Sequence, residues 1–463
     1  MGNDWTRDTF TRRHLLKLLS ATTGSILLAG CASTASPSTP TSKPAATSQP
    51  ASSPAAKATA APAALKGARV HVLRWNSFVK AEDEWFMETV KKNWAEPNGV
   101  NLVVENIAMN DMQAKISVAL ESGAGPDVVQ LNWNWAHVYD SKLRDVSAIA
   151  EKQAKDAGGY IDLAPALCRV QSGQWKAVPF GVLGAAVFHR TDWLKEMGIT
   201  KFPETWEELN RVGKLMKEKK GVTYGQAWGH SISDPNNTAY PLLWAYGGAE
   251  VDASGKKVVI NSPETVTAVE FAVQWFHDSM SEEMLGWDDT GNNKAYLAEQ
   301  CWATYNGVSI YLAALKDFPN VAAASDNAPY PKGPKGRFQM TFPYSHAIPA
   351  YVKDPKPAEE LLLWIHDPQN FRTFMDASSA YTAPMVNGYA DHPVWQKDPK
   401  MALLKDVSAY KWPGYPGPSS PASSEAMSKF IIVDMYVKAI KGEKPQDAVA
   451  WAERELKRIY EKT

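Results

Sequence analysis

Arg69-Val70-His71-Val72-Leu73-Arg74 alternates apolar and polar residues at the two-residue period of a strand, and the rest of the chain can be read outward from it. Residues 82–94 follow with Trp85, Phe86 and Val90 on one face of a helix, which Pro97 and Gly99 stop. Asn101-Leu102-Val103-Val104-Glu105 is a second strand. Residues 111–122 form a second helix, capped by Asp111 and ended by Gly123, and Pro126-Asp127-Val128-Val129-Gln130-Leu131 is a third strand. Strands alternating with helices in this order predict a parallel sheet in a layered α/β architecture.

The rhythm continues downstream. Ala177-Val178-Pro179-Phe180 and Ala185-Ala186-Val187-Phe188-His189 read as strands. Thr205-Trp206-Glu207-Glu208 has the spacing of a capping box at a helix start, and residues 263–277 form a helix opening near Ser262. Beyond about residue 350 the pattern is mainly helical, ending in a helix over residues 451–460. No internal repeat and no second linker interrupt residues 67–463, which predicts interwoven rather than consecutive lobes.

Upstream the composition changes. Arg12-Arg13 precede an apolar stretch from Leu15 to Gly30 that is too short to span a bilayer. Thr11-Arg12-Arg13-His14-Leu15-Leu16-Lys17 resembles a twin-arginine export signal, and Leu28-Ala29-Gly30-Cys31 resembles a lipoprotein box with Cys31 as the lipidated residue. Residues 1–31 are therefore expected to be a cleaved lipoprotein signal peptide. Residues 32–66 are almost entirely Ala, Ser, Thr and Pro, too poor in apolar surface to offset ordering entropy, and are expected to be a disordered tether.

Charge and cysteine content exclude several classes. The chain has 463 residues, with 49 Lys and Arg against 50 Asp and Glu. A formal net charge of −1 is wrong for a protein that must neutralise phosphates. Three Cys are too few for a disulfide scaffold; apart from Cys31, the apolar settings of Cys168 and Cys301 predict two buried thiols. The 18 Trp are enough to build core and also to line a ligand cleft.

Motifs for catalysis are missing. The nine His are scattered, with no pair at helical zinc-site spacing, and no metal or cofactor is expected. Walker A, G-x-G-x-x-G and G-x-S-x-G patterns are absent; Gly229-His230-Ser231-Ile232-Ser233 lacks the final Gly of the last. Glu82-Asp83-Glu84, Glu282-Glu283 and Asp288-Asp289 read as solvated faces rather than paired glycosidase acids. The chain is not expected to be an enzyme.

Several segments together resemble one family. Ser122-Gly123-Ala124-Gly125-Pro126-Asp127-Val128-Val129 is similar to its turn into a strand, and Gln174-Trp175-Lys176-Ala177-Val178-Pro179-Phe180 to a passage that continues through Val187-Phe188-His189-Arg190 and Leu194-Lys195-Glu196-Met197-Gly198-Ile199. Pro203-Glu204-Thr205-Trp206-Glu207-Glu208-Leu209, Tyr330-Pro331-Lys332-Gly333-Pro334 and Lys441-Gly442-Glu443-Lys444-Pro445-Gln446-Asp447-Ala448 follow in the family's order. The chain resembles the extracellular solute-binding proteins, family 1, the maltose-binding-protein-like receptors of ABC importers. His189-Arg190 and Cys301-Trp302-Ala303 depart from the pattern, so ligand identity does not carry over.

The resemblance implies a two-lobe periplasmic-binding-protein fold of type II, with crossover strands and a ligand cleft. Residues 67–180 and 345–400 would form lobe I, and 181–344 and 401–463 lobe II. It implies a monomer, exported and lipid-anchored to a bacterial membrane, that binds a small molecule and meets permease subunits but no nucleic acid. The ligand would be a carbohydrate, an oligosaccharide or sugar derivative; a polyamine or other small charged solute is the alternative, and a secreted glycan-acting enzyme a distant one. Strand C-terminal ends select Trp75, Asn76, Ser77 and Phe78, and Asn132, Trp133, Asn134 and Trp135, as ligand-binding candidates, the alternative for the second stretch being a loop whose Trp caps the core. The resemblance puts Trp228, Asp234, Asn237, Trp244 and Asn306 on the cleft side of the second lobe, with core an equal reading for Trp244. Tyr344 and His346 would lie at the return crossing, and Trp412 and Tyr415 in a Pro/Gly-rich loop at the cleft edge.

Overall fold

The computed structural model describes residues 65–379 and 381–462. The expected signal at 1–31, Cys31 and all of the expected tether except Leu65 and Lys66 lie outside the described residues. Leu65 is already buried in the core, and Gly67 N donates to Gly99 O at 2.8 Å, so the described fold is anchored ahead of its first strand.

Ten strands form two sheets. They are β1 (Arg69–Trp75), β2 (Asn101–Ile107), β3 (Val128–Asn132), β4 (Val178–Leu183), β5 (Ala185–Arg190), β6 (Thr223–Gly225), β7 (Cys301–Gly307), β8 (Ser325–Ala328), β9 (Pro343–Ala347) and β10 (Thr382–Pro384). The first sheet runs β10-β4-β9-β3-β1-β2. As the periodicity predicts, β1 is parallel to both β2 and β3, with Arg69 opposite Asn101 and Val72 opposite Val128. The expected all-parallel sheet is nevertheless mixed, because β9 inserts antiparallel between β3 and β4, and β10 pairs antiparallel with β4. The second sheet runs β6-β7-β5-β8, with only the β6–β7 pair parallel. Residues of β3, β4 and β5 are buried throughout, as strands covered on both faces must be, which explains their near-continuous apolar sequences.

Each sheet is the centre of one lobe. The helix over 80–98 widens into π-type turns at Trp85–Thr89 and Lys91–Ala95, yet presents Trp85, Phe86 and Trp94 inward. Asp111 occupies the N-cap of the helix Met112–Ser122, but its side chain makes no capping bond. In the other lobe, Thr205 accepts from Glu208 N at 3.2 Å at the start of Trp206–Lys220, whereas Glu208 reaches Glu204 N rather than closing the box. The helix Pro263–Ser279 packs against Trp206–Lys220, Asp234–Tyr246, Ile431–Ile440 and Pro445–Tyr460. The turn Pro399–Lys405 packs on β5 and β8.

Two segments cross between the sheets side by side. Gly184 alone separates β4 from β5, and Leu183 N donates to Phe342 O at 2.9 Å while Thr341 Oγ1 donates to Leu183 O at 3.1 Å. Paired crossing strands with little else joining the sheets are the geometry of a hinge. Cys168 and Cys301 are free and buried. Among the described residues no helix is long and apolar enough to cross a membrane.

Candidate functional site

A narrow cavity lies where the two sheets face one another across the crossing strands. Phe78, just beyond the C-terminal end of β1, and Met109, beyond β2, line it from the first lobe. Leu183, Ala185 and Thr341 form its hinge wall. From the second lobe come Asp234 and Asn237 in the first turn of the helix Asp234–Tyr246, Asp289, and Tyr305 and Asn306 on β7; Tyr381 closes it beside the hinge. A larger concavity of about 1430 Å³ lies along residues 199–218 of one lobe, under mixed Lys, Arg and Glu side chains. The smaller cavity is the candidate site because strand ends of both lobes converge on it.

Its electrostatics are dominated by two carboxylates. Asp289 accepts hydrogen bonds from Ser231 Oγ at 2.7 Å, Asp234 N at 2.8 Å and Ser233 N at 3.3 Å, the last two from the start of the Asp234 helix. Asp234 Oδ2 accepts from Asn306 Nδ2 at 3.4 Å, and Asn306 Nδ2 also donates to Asn293 Oδ1. Burial holds both carboxyls above the ordinary range, and the charge of Asp289 raises Asp234 further. The three donors to Asp289 oppose its shift, so Asp234 is the more strongly raised of the two. Asn237 gives its Nδ2 to Ser233 Oγ at 2.9 Å, leaving its buried Oδ1 without a partner.

Of the residues singled out from sequence, Asp234, Asn237 and Asn306 line this cavity. Trp75 stands behind it, fully buried, its ring 5.8 Å from Phe78 and 5.4 Å from Phe342. Asn76 is exposed and does not line the cavity, and Ser77 turns inward to donate to Glu82 at 2.8 Å. Asn132 is buried and accepts from Gln130; Trp133 packs edge-on to Phe342 at 5.8 Å in a left-handed backbone conformation, with φ of 50°. Asn134 reaches Ser420 and Ser423, and Trp135 is fully buried. The indole nitrogens of Trp75, Trp133, Trp135 and Trp244 are buried without a hydrogen-bond partner.

Five expected positions are placed away from this cavity, a correction for all but Trp244, for which core was an equal reading. Trp228 is core of the second lobe, set between Trp275 and Tyr436 with its indole on Met280 Sδ at 3.3 Å. His346 is core of the first lobe, 4.8 Å from Phe180 and hydrogen-bonded to His366. Tyr344 donates or accepts with Thr382 at 2.9 Å inside the same sheet. Trp244 is buried against Tyr240 and Tyr415, and Trp412 completes that cluster with its indole on Gly417 O. The common cause is that a large aromatic next to a sheet gains more from packing than from waiting at a surface.

Two acids read as solvated are buried instead. Asp289 faces the cavity, and Glu82 is enclosed by Ser77, Thr382 and Arg74, which pushes its carboxyl up to about 7 through burial. Met109, Thr341 and Tyr381 were not among the expected site residues. Phe78 is 46% exposed, one of the few large apolar side chains left exposed among the described residues.

A family model described as bacterial extracellular solute-binding protein matches residues 89–403. The chain belongs to this family. A relative from Deinococcus radiodurans, described as a probable ABC transporter-binding protein, is 25% identical over 242 residues. That match covers 51% of this chain and 57% of the relative, so this solute-binding protein is aligned to little more than half of the relative's length. Among solved structures, maltose-bound MalE3 of T. maritima is similar with a TM-score of 0.73 at 19% identity, covering 85% of this chain and 100% of that one. A sugar transporter from Arthrobacter chlorophenolicus with bound laminaribiose gives 0.72 at 14% identity, covering 85% and 99%. The GacH receptor of Streptomyces glaucescens gives 0.70 at 18%, with the same coverage. These likenesses establish the two-lobe fold. As a member of a solute-binding family, the protein is a binding protein and not an enzyme. Its cavity suits that role, since polar acceptors alternate there with the faces of Phe78, Tyr305 and Tyr381.

Proposed function

We propose that the protein captures a carbohydrate between its lobes by hinge closure and presents it to the permease of an ABC importer. The observation that carries this reading is the cavity itself, in which Asp234, Asn237, Asp289 and Asn306 stand ready for hydroxyl groups while Phe78 and Tyr305 offer apolar faces to a sugar ring. The maltose and laminaribiose named for its structural neighbours support the same class of solute. Closure rotates the lobes about Leu183–Ala185 and Thr341–Phe342, and bound solute favours the closed state because only there does it touch both lobes. The chain works outside the cytoplasm, held to a membrane through Cys31 after removal of residues 1–30.

The test is thermal melting of the purified protein against mono- and oligosaccharides, sugar phosphates and polyamines. A ligand at about 100 times its Kd adds about 2.7 kcal/mol of stability. Shifts confined to sugars support the reading; a shift with a polyamine alone sinks the carbohydrate assignment. The anchor is tested separately: Cys31→Ser should abolish partition with membranes, and a variant that still sediments with them removes that part of the proposal.

A further inference from the structure

The unfilled hydrogen-bonding capacity of the cavity is mainly that of an acceptor, the buried hydroxyl of Tyr381 being the donor left without a partner. Its lining holds two carboxylates and no Lys, Arg or His. Asn306 directs its Nδ2 to Asp234 and Asn293, and Asn237 directs its Nδ2 to Ser233. What Asn237 leaves over is Oδ1, on a side chain only 4% exposed, lining the cavity and meeting no donor. Sugar hydroxyls both donate and accept, so acceptors alone use half of what they offer; an ammonium has three donors and no acceptor.

We propose that the solute is an amine-bearing sugar, whose ammonium sits against Asp234 and Asp289 with Asn237 Oδ1 as a third acceptor. This rests on the carbohydrate reading above and narrows it. The groups around the pair reinforce the choice. Asp288, exposed beside it, adds negative charge and is itself approached by Lys294, while the phenols Tyr305, Tyr330 and Tyr381 are held neutral by burial. An arriving ammonium favours the ionised form of both raised carboxyls. Binding therefore releases a proton wherever Asp234 is protonated beforehand: the ligand enters as R–NH3+, Asp234 gives up its hydrogen as H+, and the site ends with both carboxylates ionised.

The experiment is titration calorimetry of the protein with sugars supplied as matched alcohol and amine: glucose and glucosamine, galactose and galactosamine, cellobiose and its diamino counterpart, each in two buffers of different ionisation enthalpy. An amine member should bind about tenfold tighter than its alcohol partner, with net proton release that the alcohol does not cause. Asp289→Asn should erase both the preference and the release; Asp234→Asn gives the same reading should loss of the capping bonds unfold the first variant. Alcohols that bind as tightly as their amines overturn the inference and leave the carbohydrate function standing. A preference that survives both variants overturns it too. Absence of binding by every pair overturns the inference and the carbohydrate reading together.

Discussion

Asn134 Nδ2, at the end of β3, donates to Ser423 Oγ at 3.0 Å and to Ser420 O at 3.0 Å, with Asn134 and Ser423 both buried. Ser423 belongs to the helix Pro421–Ser428, which packs on Ile431–Ile440 and Pro445–Tyr460 of the second lobe as well as on Trp135–Val138 of the first. The bond is thus a latch between the lobes, one residue from Trp133, whose ring packs on the hinge residue Phe342.

Removing the latch should favour the open state. Asn134→Ala is expected to weaken solute binding by about 1 kcal/mol, roughly fivefold, because one net hydrogen bond of the closed form is lost. Calorimetry with whichever sugar shifts the melt reads this directly. Unchanged affinity would mean that Asn134 and Ser423 stay joined in both states.

Phe78 and Trp228 should behave oppositely. Phe78 is half exposed over the cavity, so Phe78→Ala is expected to cost about 1–3 kcal/mol of binding with little change in Tm. Trp228 is core, so Trp228→Ala is expected to cost about 3–5 kcal/mol of folding stability while the folded fraction binds normally. Melting and affinity measured on both variants separate the two roles.

The left-handed backbone at Trp133 can be isolated from its ring. Trp133→Ala and Trp133→Gly lose the same contact with Phe342, but only glycine is free of the left-handed penalty. The glycine variant should be the more stable by about 1 kcal/mol in urea unfolding.

Stability should fall as pH rises from about 4.5 to about 7 through Glu82 and Glu250, both buried and both pushed up to about 7 chiefly by burial. A carboxyl raised in the folded state holds its proton there after the unfolded chain has lost it. Its contribution is therefore full below the unfolded value and gone above the folded one. Each group is worth at most about 3 kcal/mol over that window. Glu82→Gln, which keeps one acceptor oxygen for Ser77 or Thr382, should flatten the pH dependence of Tm by its share.

Local periodicity carried the first lobe a long way. Alternation in β1 and β2, the αL glycines Gly99 and Gly123, and the caps at Thr205 and Ser262 are short-range signals, and they mark the elements that form. The antiparallel insertion of β9 next to β3 joins residues some two hundred positions apart, and no local pattern records such a pairing. The site divides the same way. Asp234, Asn237 and Asn306, which the family resemblance singled out, line the cavity. An indole looks alike in sequence whether it meets a sugar or Tyr436, and Trp228 is settled only by that distant partner. The Asp288-Asp289 pair shows how fine the distinction is: Asp288 holds Thr290 at the surface, while its neighbour turns under the Asp234 helix.

Cys168 and Cys301 lie buried, their thiols pushed up to about 12 by that burial. At neutral pH roughly one in a hundred thousand of either is thiolate, the form that alkylating reagents attack. Residues 65–462 are in effect silent to thiol chemistry. A cysteine introduced at Phe78 and another on the opposite rim could then carry dyes without removing a native residue of the fold, and distances between them would report the opening of the lobes one molecule at a time.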